Sequence, residues 1–293
     1  MASLRQTRNQ IRSVKNTRQI TKAMQMVAAA KLKKSEFRLM SSRPYCRKME
    51  ELMNRLLPSV RDLSHPLLDS RTVKSTLLVI VASDKGLCGS YNMNIIRKAE
   101  EFLLSKPKDH VKLAIIGKKA YDYFKRRQWP IVMSVTDLLG NVDYARINQV
   151  TQKVIGIFES GDADEIYLLH TKYISAMRYE PTMFKYLPFE IEISPDSSAK
   201  KSGHEMELDY IFEPDAAKIF HDFLPRYLGT RMFSAVAESF TSEHSARMIS
   251  MKNATTAAQD MIDSLTLKAN KIRQAQITKE ISEIVGGSEA LKS

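Results

Sequence analysis

The chain has 293 residues, of which 43% are hydrophobic, and a formal net charge of +12 at pH 7. This length and apolar content permit one large domain or two smaller ones, and they exclude a fibrous or broadly disordered chain. The richest apolar run, at residues 77–82, is only as long as a β-strand, so no membrane span is predicted. Two distant cysteines, Cys46 and Cys88, exclude a disulfide framework and a CxxC metal pair, and they fit a reducing cytoplasm.

Residues 1–55 carry most of the excess charge. They contain 14 Lys or Arg against three Glu, a net of +11, with no glycine and with Pro44 as the only proline. A helix over this stretch would be about 80 Å long, longer than any domain the chain could build, so we expect it to project and to need a partner. The Arg-rich beginning has the composition of a transit peptide, but it continues directly into the helical pattern and is interpreted as mature protein.

The apolar residues of this stretch recur at spacings of three, four and seven, as an amphipathic or coiled-coil helix requires. They are Leu4, Ile11, Val14, Ile20, Met24, Val27, Ala28, Leu32, Leu39 and Met40. The centre, residues 23–30, is small and uncharged, so another backbone or a smooth protein wall could approach it closely. Pro44 is expected to kink or break the helix near Arg43. A helix packed along its own domain is the alternative, and the apolar spacing alone leaves it open.

After a connector at residues 61–75, apolar strands alternate with amphipathic helices. Strands are predicted at residues 76–83, 111–117, 131–135 and 165–173, and helices at residues 91–104, 118–127 and 144–158. This alternation predicts a doubly wound, Rossmann-like α/β domain with a parallel sheet. Residues 181–193 are expected to add an edge strand, and the polar residues 194–207 to form a surface loop.

A second long helix is predicted from residue 216 to about residue 285. Glu213 or Asp215 can cap its beginning, Pro225 and Gly229 are weak points, and Gly286 with Gly287 should end it. About 70 helical residues would span about 105 Å. Since both terminal helices repeat near 3.5 residues, a long antiparallel coiled coil is expected. The predicted domains are therefore residues 1–60 and 209–293 for the coiled-coil helices, and 75–208 for the α/β domain.

The sequence provides no catalytic constellation. The loop at residues 86–89 follows a strand, as a phosphate loop would, but it lacks the GxGxxG and GxxxxGK[ST] spacings, as does the turn at Gly117. Both are interpreted as tight turns, and Asp84 with Lys85 as an ion pair or partner contact. The six histidines show no metal-ligand spacing, and no GxSxG elbow is present. His170 is interpreted as a satisfied core group, and no catalytic, cofactor or metal site is predicted.

Several motifs resemble the gamma subunit of F-type ATP synthase over the whole chain. They are residues 20–31 (ITKAMQMVAAAK), 84–89 (DKGLCG), 242–248 (SEHSARM), 251–255 (MKNAT) and 277–283 (ITKEISE), with Gly287 following. The family's usual alanine after that last glycine is Ser288 here, a small-for-small departure. The plant regulatory insert with its cysteine pair is absent, which indicates a bacterial form.

The resemblance implies a function and a set of partners. The chain would be the non-catalytic central rotor shaft that couples proton transport through a membrane c-subunit ring to ATP synthesis or hydrolysis on the beta subunits. Its partners would be three alpha and three beta subunits, the epsilon subunit and the c-ring, at the cytoplasmic face of the bacterial plasma membrane. The resemblance places six residues against the beta subunits: Lys22, Met24, Arg247, Gln274, Thr278 and Glu280. It places five near epsilon and the membrane ring: Lys85, Gly86, Leu87, Cys88 and Tyr210.

Two other functions stay open at this point. The basic first helix could belong to a coiled-coil nucleic-acid binder, although only Phe37 and Tyr45 offer aromatic surface for base stacking. The loop at Gly86 could instead bind a phosphate ligand in an α/β enzyme.

Overall fold

In chain order, a long first helix and a long last helix flank the elements of a five-stranded α/β domain. The computed structural model describes residues 4–60, 65–189 and 215–290. The chain divides into two units, residues 1–30 with 247–293, and residues 31–246. The predicted fold class is confirmed. The predicted division at residues 60, 75 and 208 stays a prediction.

The first helix, α1, runs from Leu4 to Leu56. Its more buried side chains follow steps of three and four residues without interruption, which is the repeat of a coiled-coil helix. These positions are Leu4, Thr7, Ile11, Val14, Arg18, Thr21, Gln25, Ala28, Leu32, Ser35, Leu39, Ser42, Cys46, Met49, Met53 and Leu56. One face of α1 is therefore covered along its whole length.

Three residues of α1 do not lie where they were expected. Ile20, Val27 and Met40 were expected on the covered stripe, yet they are 61%, 58% and 43% exposed, while Thr7 and Thr21 lie inward. The 3.5-residue repeat fixes the phase of the whole helix, so a few polar residues turn inward and a few apolar ones outward. Pro44 does not break α1, which continues to Leu56 because Met49 and Met53 beyond it are buried in the core.

The last helix, α5, runs from Ala216 to Ala290. Asp215 caps it as predicted, since its carboxylate accepts a hydrogen bond from the Lys218 amide at 2.8 Å. Glu213, the other candidate cap, lies outside the described residues. Pro225 lies within the helix. Gly286 with Gly287 was expected to end the helix, but it continues to Ala290.

Within the first unit, α1 and α5 pack antiparallel, as predicted. The Thr255 hydroxyl donates to the Thr21 hydroxyl at 2.9 Å, and Arg18 donates to the Gln259 side-chain oxygen. A run of partly or fully buried positions of α5 here again steps by three and four residues, at Met251, Thr255, Ala258, Ile262, Leu265, Ala269 and Ile272. The described residues from 273 to 285 are all exposed.

The sheet of the second unit has the strand order β3-β2-β1-β4-β5. The strands are β1 (Thr76–Val81), β2 (Val111–Ile116), β3 (Ile131–Val135), β4 (Glu165–Ser175) and β5 (Arg178–Leu187). The first four are parallel and β5 is an antiparallel edge strand, so the predicted sheet and edge strand are confirmed. β5 begins three residues earlier than expected. Residues 190–207, including the predicted polar loop, lie outside the described residues.

Helices cover both faces of the sheet, as alternating residues of β1 require. α2 (Tyr91–Leu104) and α3 (Lys118–Arg126) pack on the face that carries Leu78 and Ile80. α4 (Tyr144–Glu159) packs on the opposite face with Val79, together with the end of α1 and the first part of α5. No described helix has a stretch apolar enough to cross a bilayer.

A buried carboxylate secures the amino-terminal edge of this sheet. Glu165, 5% exposed, accepts hydrogen bonds from the Thr76 hydroxyl at 2.9 Å and from the Lys106 ammonium group. Burial by itself would raise the pKa of Glu165, but the bonds from Lys106 and Thr76 outweigh it and hold the pKa below the ordinary value of 4.5. The carboxylate is therefore charged in the folded chain at neutral pH.

We expect Glu165→Gln to lower the free energy of unfolding at pH 7 by about 2 kcal/mol, because a charge-assisted hydrogen bond is lost. The depressed pKa stabilises the fold above pH 4.5, and that stabilisation is lost as the pH falls below it, so the variant and the parent should converge in acid. Urea unfolding at pH 7 and at lower pH measures this. Glu101→Gln is the control, because its ion pair with Lys98 is exposed and contributes little. An equal loss for both variants at pH 7 would contradict the assignment.

Candidate functional site

The carboxyl ends of β1, β2 and β3 form the edge where a doubly wound sheet usually binds its ligand. Here the Asp84 carboxylate occupies that edge. It accepts hydrogen bonds from three backbone amides, those of Lys118 at 3.0 Å, Asp137 at 3.2 Å and Leu139 at 2.7 Å. These amides belong to the loops after β2 and β3, and amides of this kind would otherwise be available to an anionic ligand. The protein's own carboxylate therefore takes the place of a phosphate.

The neighbouring glycine turn is also closed. Gly117 has a φ of 106°, and a Cβ there would lie 2.3 Å from the Ala82 carbonyl oxygen. The glycine therefore serves the close approach of two chain segments. The sequence interpretation of a tight turn agrees with this geometry. The interpretation of Asp84 as an ion-pair or contact residue missed its main role, because its three bonding partners lie 34 to 55 residues away in the sequence.

The loop that follows Asp84 presents a side chain to solvent. Leu87 is 61% exposed and has a φ of 61°, a left-handed conformation that non-glycine residues rarely adopt. Lys85 is exposed and Gly86 partly exposed, whereas Cys88 is 2% exposed and accepts a hydrogen bond from the Asn92 amide group. An outside partner would meet the three residues before Cys88 and not its thiol. The loop is thus a fixed, partly apolar projection.

A cleft of about 380 Å³ in the second unit is lined by polar side chains of the types found in active sites. His170 lies there with its Nε2 atom 3.4 Å from a Glu238 carboxylate oxygen. Cys46 also lines the cleft, but burial raises the pKa of its thiol, so the nucleophilic thiolate is disfavoured. His170 is buried as predicted, although only its Nε2 atom has a partner. Among the residues described, no cluster of three metal-ligand side chains occurs.

The first unit presents the residues predicted to meet the beta subunits. Lys22 is exposed at a groove of about 570 Å³ between α1 and α5, and Met24, two residues further along α1, is half-buried. Beside them Ile20, Met26 and Val27 are 61%, 60% and 58% exposed. This surface is apolar and carries few charges at its centre, so it suits a protein partner better than nucleic acid.

The end of α5 is a single helix in the described structure. Extending the Thr21–Thr255 pairing by 17 residues in each direction places Leu4 opposite Ile272, so α1 has no described residue left to cover the helix beyond Ile272. Gln274, Thr278 and Glu280 lie on this exposed segment, and the Thr278 hydroxyl donates to the Gln274 carbonyl. Four large apolar side chains are exposed here, Ile277 at 48%, Ile281 at 56%, Ile284 at 72% and Val285 at 56%.

The predicted contact residues are thus distributed over separate surfaces. Gln274, Thr278 and Glu280 share one segment of α5, Lys22 and Met24 share one segment of α1, and Arg247 is half-buried on α5. Lys85, Gly86 and Leu87 share one loop of the other unit. Tyr210 lies outside the described residues.

Comparisons with known proteins agree over the full length. A family model described as ATP synthase matches residues 3–291. The ATP synthase gamma chain of Desulfitobacterium hafniense is 41% identical over 292 residues, which covers all of both chains. The gamma chain of Protochlamydia amoebophila is 40% identical, again over all of both chains.

Solved structures show the same fold. A chain in the mitochondrial ATP synthase of Tetrahymena thermophila, from the central stalk and c-ring, superimposes with a TM-score of 0.62 and 26% identity, over 80% of this chain and 99% of that one. A chain of the Euglena gracilis mitochondrial ATP synthase, from a structure of OSCP, F1 and c-ring, gives a TM-score of 0.67 over 98% and 94% of the two chains. Its identity is 20%, so it supports the fold alone.

We expect Asp84→Ala to lower the free energy of unfolding by about 2 kcal/mol or more, because three backbone amides lose a charged acceptor. Asp84→Asn keeps one acceptor oxygen and should cost less. Urea unfolding of both variants measures this. Asp109→Ala, at an exposed carboxylate in the 3₁₀ turn Lys108–His110, is the control. A loss no larger than the control's would show that Asp84 does not hold these loops together.

Proposed function

The chain belongs to the ATP synthase gamma-chain family, and from this premise we propose that it is the central rotor shaft of an F-type ATP synthase. In that role it couples proton transport through the membrane ring to ATP synthesis or hydrolysis on the beta subunits, and it has no active site of its own. The observation that carries the proposal is the 41% identity over the whole of a gamma chain. The fold matches a chain from a central stalk and c-ring structure.

The exposed end of α5 supports a contact with the alpha and beta subunits. Ile277, Ile281 and Ile284 lie on one face of the helix, since residues three and four apart are neighbours. Isoleucines that remain this exposed on a lone helix indicate a surface that another chain covers. In our proposal the surrounding ring of three alpha and three beta subunits covers it, and Gln274, Thr278 and Glu280 contact beta.

The segment around Met24 supports a second contact with the beta subunits. Its outer surface combines the exposed apolar side chains of Ile20 and Met26 with the exposed cation Lys22. Apolar side chains without a fixed hydrogen-bonding pattern allow a partner to pass with little preference for one angle. The net charge of +11 over residues 1–55 attracts acidic loops, and this attraction acts within the screening length of about 10 Å. Arg247 completes the proposed beta contacts.

The other end of the shaft is proposed to meet the epsilon subunit and the membrane c-ring. Lys85, Gly86 and Leu87 are accessible residues of the loop after β1, and the bonds of Asp84 hold that loop in place. Cys88 supports the loop from inside, and Tyr210 is assigned here by family resemblance. The proposed location is the cytoplasmic face of a bacterial plasma membrane, with the chain attached through its partners.

Mixing the chain with its cognate alpha and beta subunits should give a complex with three alpha, three beta and one copy of this chain, and ATP hydrolysis should exceed that of alpha and beta alone. Native mass spectrometry and an ATPase assay measure both. Ile277→Gln and Ile281→Gln should each weaken the complex about tenfold, the loss expected when burial of one large aliphatic side chain is removed.

Lys279→Gln is the matched control, because Lys279 lies on the opposite face of the same segment and pairs with Glu283 at 3.5 Å. Its affinity should stay close to that of the parent. If the chain forms no stoichiometric complex, or leaves ATP hydrolysis unchanged, the proposed function is wrong.

Met24→Lys should lower the number of protons pumped per ATP hydrolysed in the reconstituted synthase. The added cation would bind acidic beta loops at certain rotor angles and so favour those angles over others. Proton pumping into vesicles, measured against ATP hydrolysis in the same sample, gives the ratio. Met24→Leu keeps the size without the charge and should retain coupling. An unchanged ratio in Met24→Lys would remove Met24 from the beta contact.

A further inference from the structure

Residues 239–246 of α5 are buried on every side of the helix. Helices buried all round are normally hydrophobic. Six of these eight residues are polar, however, namely Ser239, Thr241, Ser242, Glu243, His244 and Ser245. Burying so many polar groups costs free energy unless they form hydrogen bonds. The bonds that this segment makes are therefore the feature that apolar side chains could not provide.

Ser239 is bonded on two sides. Its hydroxyl oxygen accepts from the Thr171 amide of β4 at 3.0 Å, and its backbone carbonyl accepts from the Tyr91 hydroxyl of α2 at 3.0 Å. Burial raises the pKa of Tyr91 above its ordinary value, so this hydroxyl keeps its proton and remains a donor. One residue of α5 is therefore held by a strand and by a helix of the α/β domain.

Further bonds occur along the same helix. The Ser245 hydroxyl donates to the Ala176 carbonyl in the turn after β4, and the His244 Nε2 atom lies 3.1 Å from the Gly140 carbonyl oxygen after β3. Near the beginning of α5 the Tyr186 hydroxyl of β5 donates to the Leu228 carbonyl at 2.8 Å. Five elements or turns of the α/β domain thus bond to α5 through buried groups.

The part of α1 in the same unit is held differently. Two of its polar contacts join side chain to side chain: the exposed Arg38 donates to the Asn141 side-chain oxygen at 3.0 Å, and the buried Tyr173 hydroxyl donates to the Glu36 carboxylate at 3.2 Å. Much of its remaining contact is apolar, through residues such as Leu39, Met49 and Met53, and the Cys46 side chain also bonds to Ser234 of α5. Apolar contacts are non-directional, so they resist sliding and rotation less than buried hydrogen bonds do.

We propose that α5 is the helix through which twist passes between the α/β domain and the coiled coil, and that the hydrogen bonds of Tyr91, Thr171, Ser239 and Ser245 lock its register to the domain. Buried bonds to backbone groups have one favourable length and direction, so a rotation or axial shift of α5 breaks several of them together. α1 then follows α5 through their shared stripe. The inference rests on the proposed rotor function.

The test uses the complex of this chain with its alpha and beta subunits, immobilised through the ring, with a bead attached to a cysteine at the exposed position Lys108. The angular fluctuation of the bead at a stalled position reports torsional stiffness. Ser239→Ala with Tyr91→Phe should raise the angular variance about twofold or more, since each lost bond lowers the population of the locked register several-fold. Hydrogen exchange at the Thr171 amide should be about fivefold faster in Ser239→Ala.

Thr241→Val is the matched control, because Thr241 is buried in the same turn but its hydroxyl bonds only within α5, to the Ala237 carbonyl at 2.8 Å. It should leave both readouts unchanged, as should Arg38→Ala on α1. Tyr91→Phe alone keeps the ring and removes one bond, so it provides a milder variant with a smaller increase in variance. Unaltered torsional stiffness in Ser239→Ala with Tyr91→Phe, or an equal increase in angular variance in Arg38→Ala, would overturn the inference.

Complex formation and ATP hydrolysis without load are measured on the same variants. Both should match the parent chain, because the beta contacts are untouched. Failure of the parent to assemble would contradict the rotor function itself, whereas normal assembly with unaltered stiffness would contradict only the lock.

Discussion

The alternation of three- and four-residue steps along α1 is the constraint on which the rest of the structure depends. From Leu4 to Leu56 one face of the helix is covered at every such step, and no insertion shifts the phase. A repeat of 3.5 residues keeps the same face toward its partner over many turns. In the first unit that partner is α5, with Thr21 bonded to Thr255, and the paired stretch of the two helices ends near Ile272. The isoleucines beyond Ile272 are exposed, and in the proposed function other chains cover them.

The α/β domain has the architecture of a nucleotide-binding fold, but a side chain of the protein itself fills the usual binding edge. Asp84 bonds to amides at the edge where such folds bind phosphate, and Gly117 closes the adjacent turn against Ala82. The domain uses its buried polar groups for attachment instead. Ser239 of α5 bonds to the backbone of β4, and Ser245 bonds to the turn that follows β4. The sheet therefore binds a helix of its own chain. A structural element that must transmit twist needs this kind of directional attachment.

Much of this could be predicted from the sequence, because the dominant signals are local. The absence of glycine in α1, the strand-helix alternation and the Asp215 cap each depend on residues close together in the chain. Other features depend on distant residues. The inward position of Thr21 follows from Thr255, and the continuation of α1 through Pro44 follows from the burial of Met49. The bonds of Asp84 join segments that no spacing rule connects. The proposed beta contacts at Lys22 and Gln274 lie on exposed surface, where only a partner chain could define them.

The most direct measurement is observation of a bead attached to this chain while its alpha and beta partners are fixed to a surface and ATP is supplied. A rotor shaft should turn continuously in one direction while ATP lasts, and it should stop when ATP is removed. A bead that only fluctuates about a fixed angle, in a complex that hydrolyses ATP at its normal rate, would contradict the account.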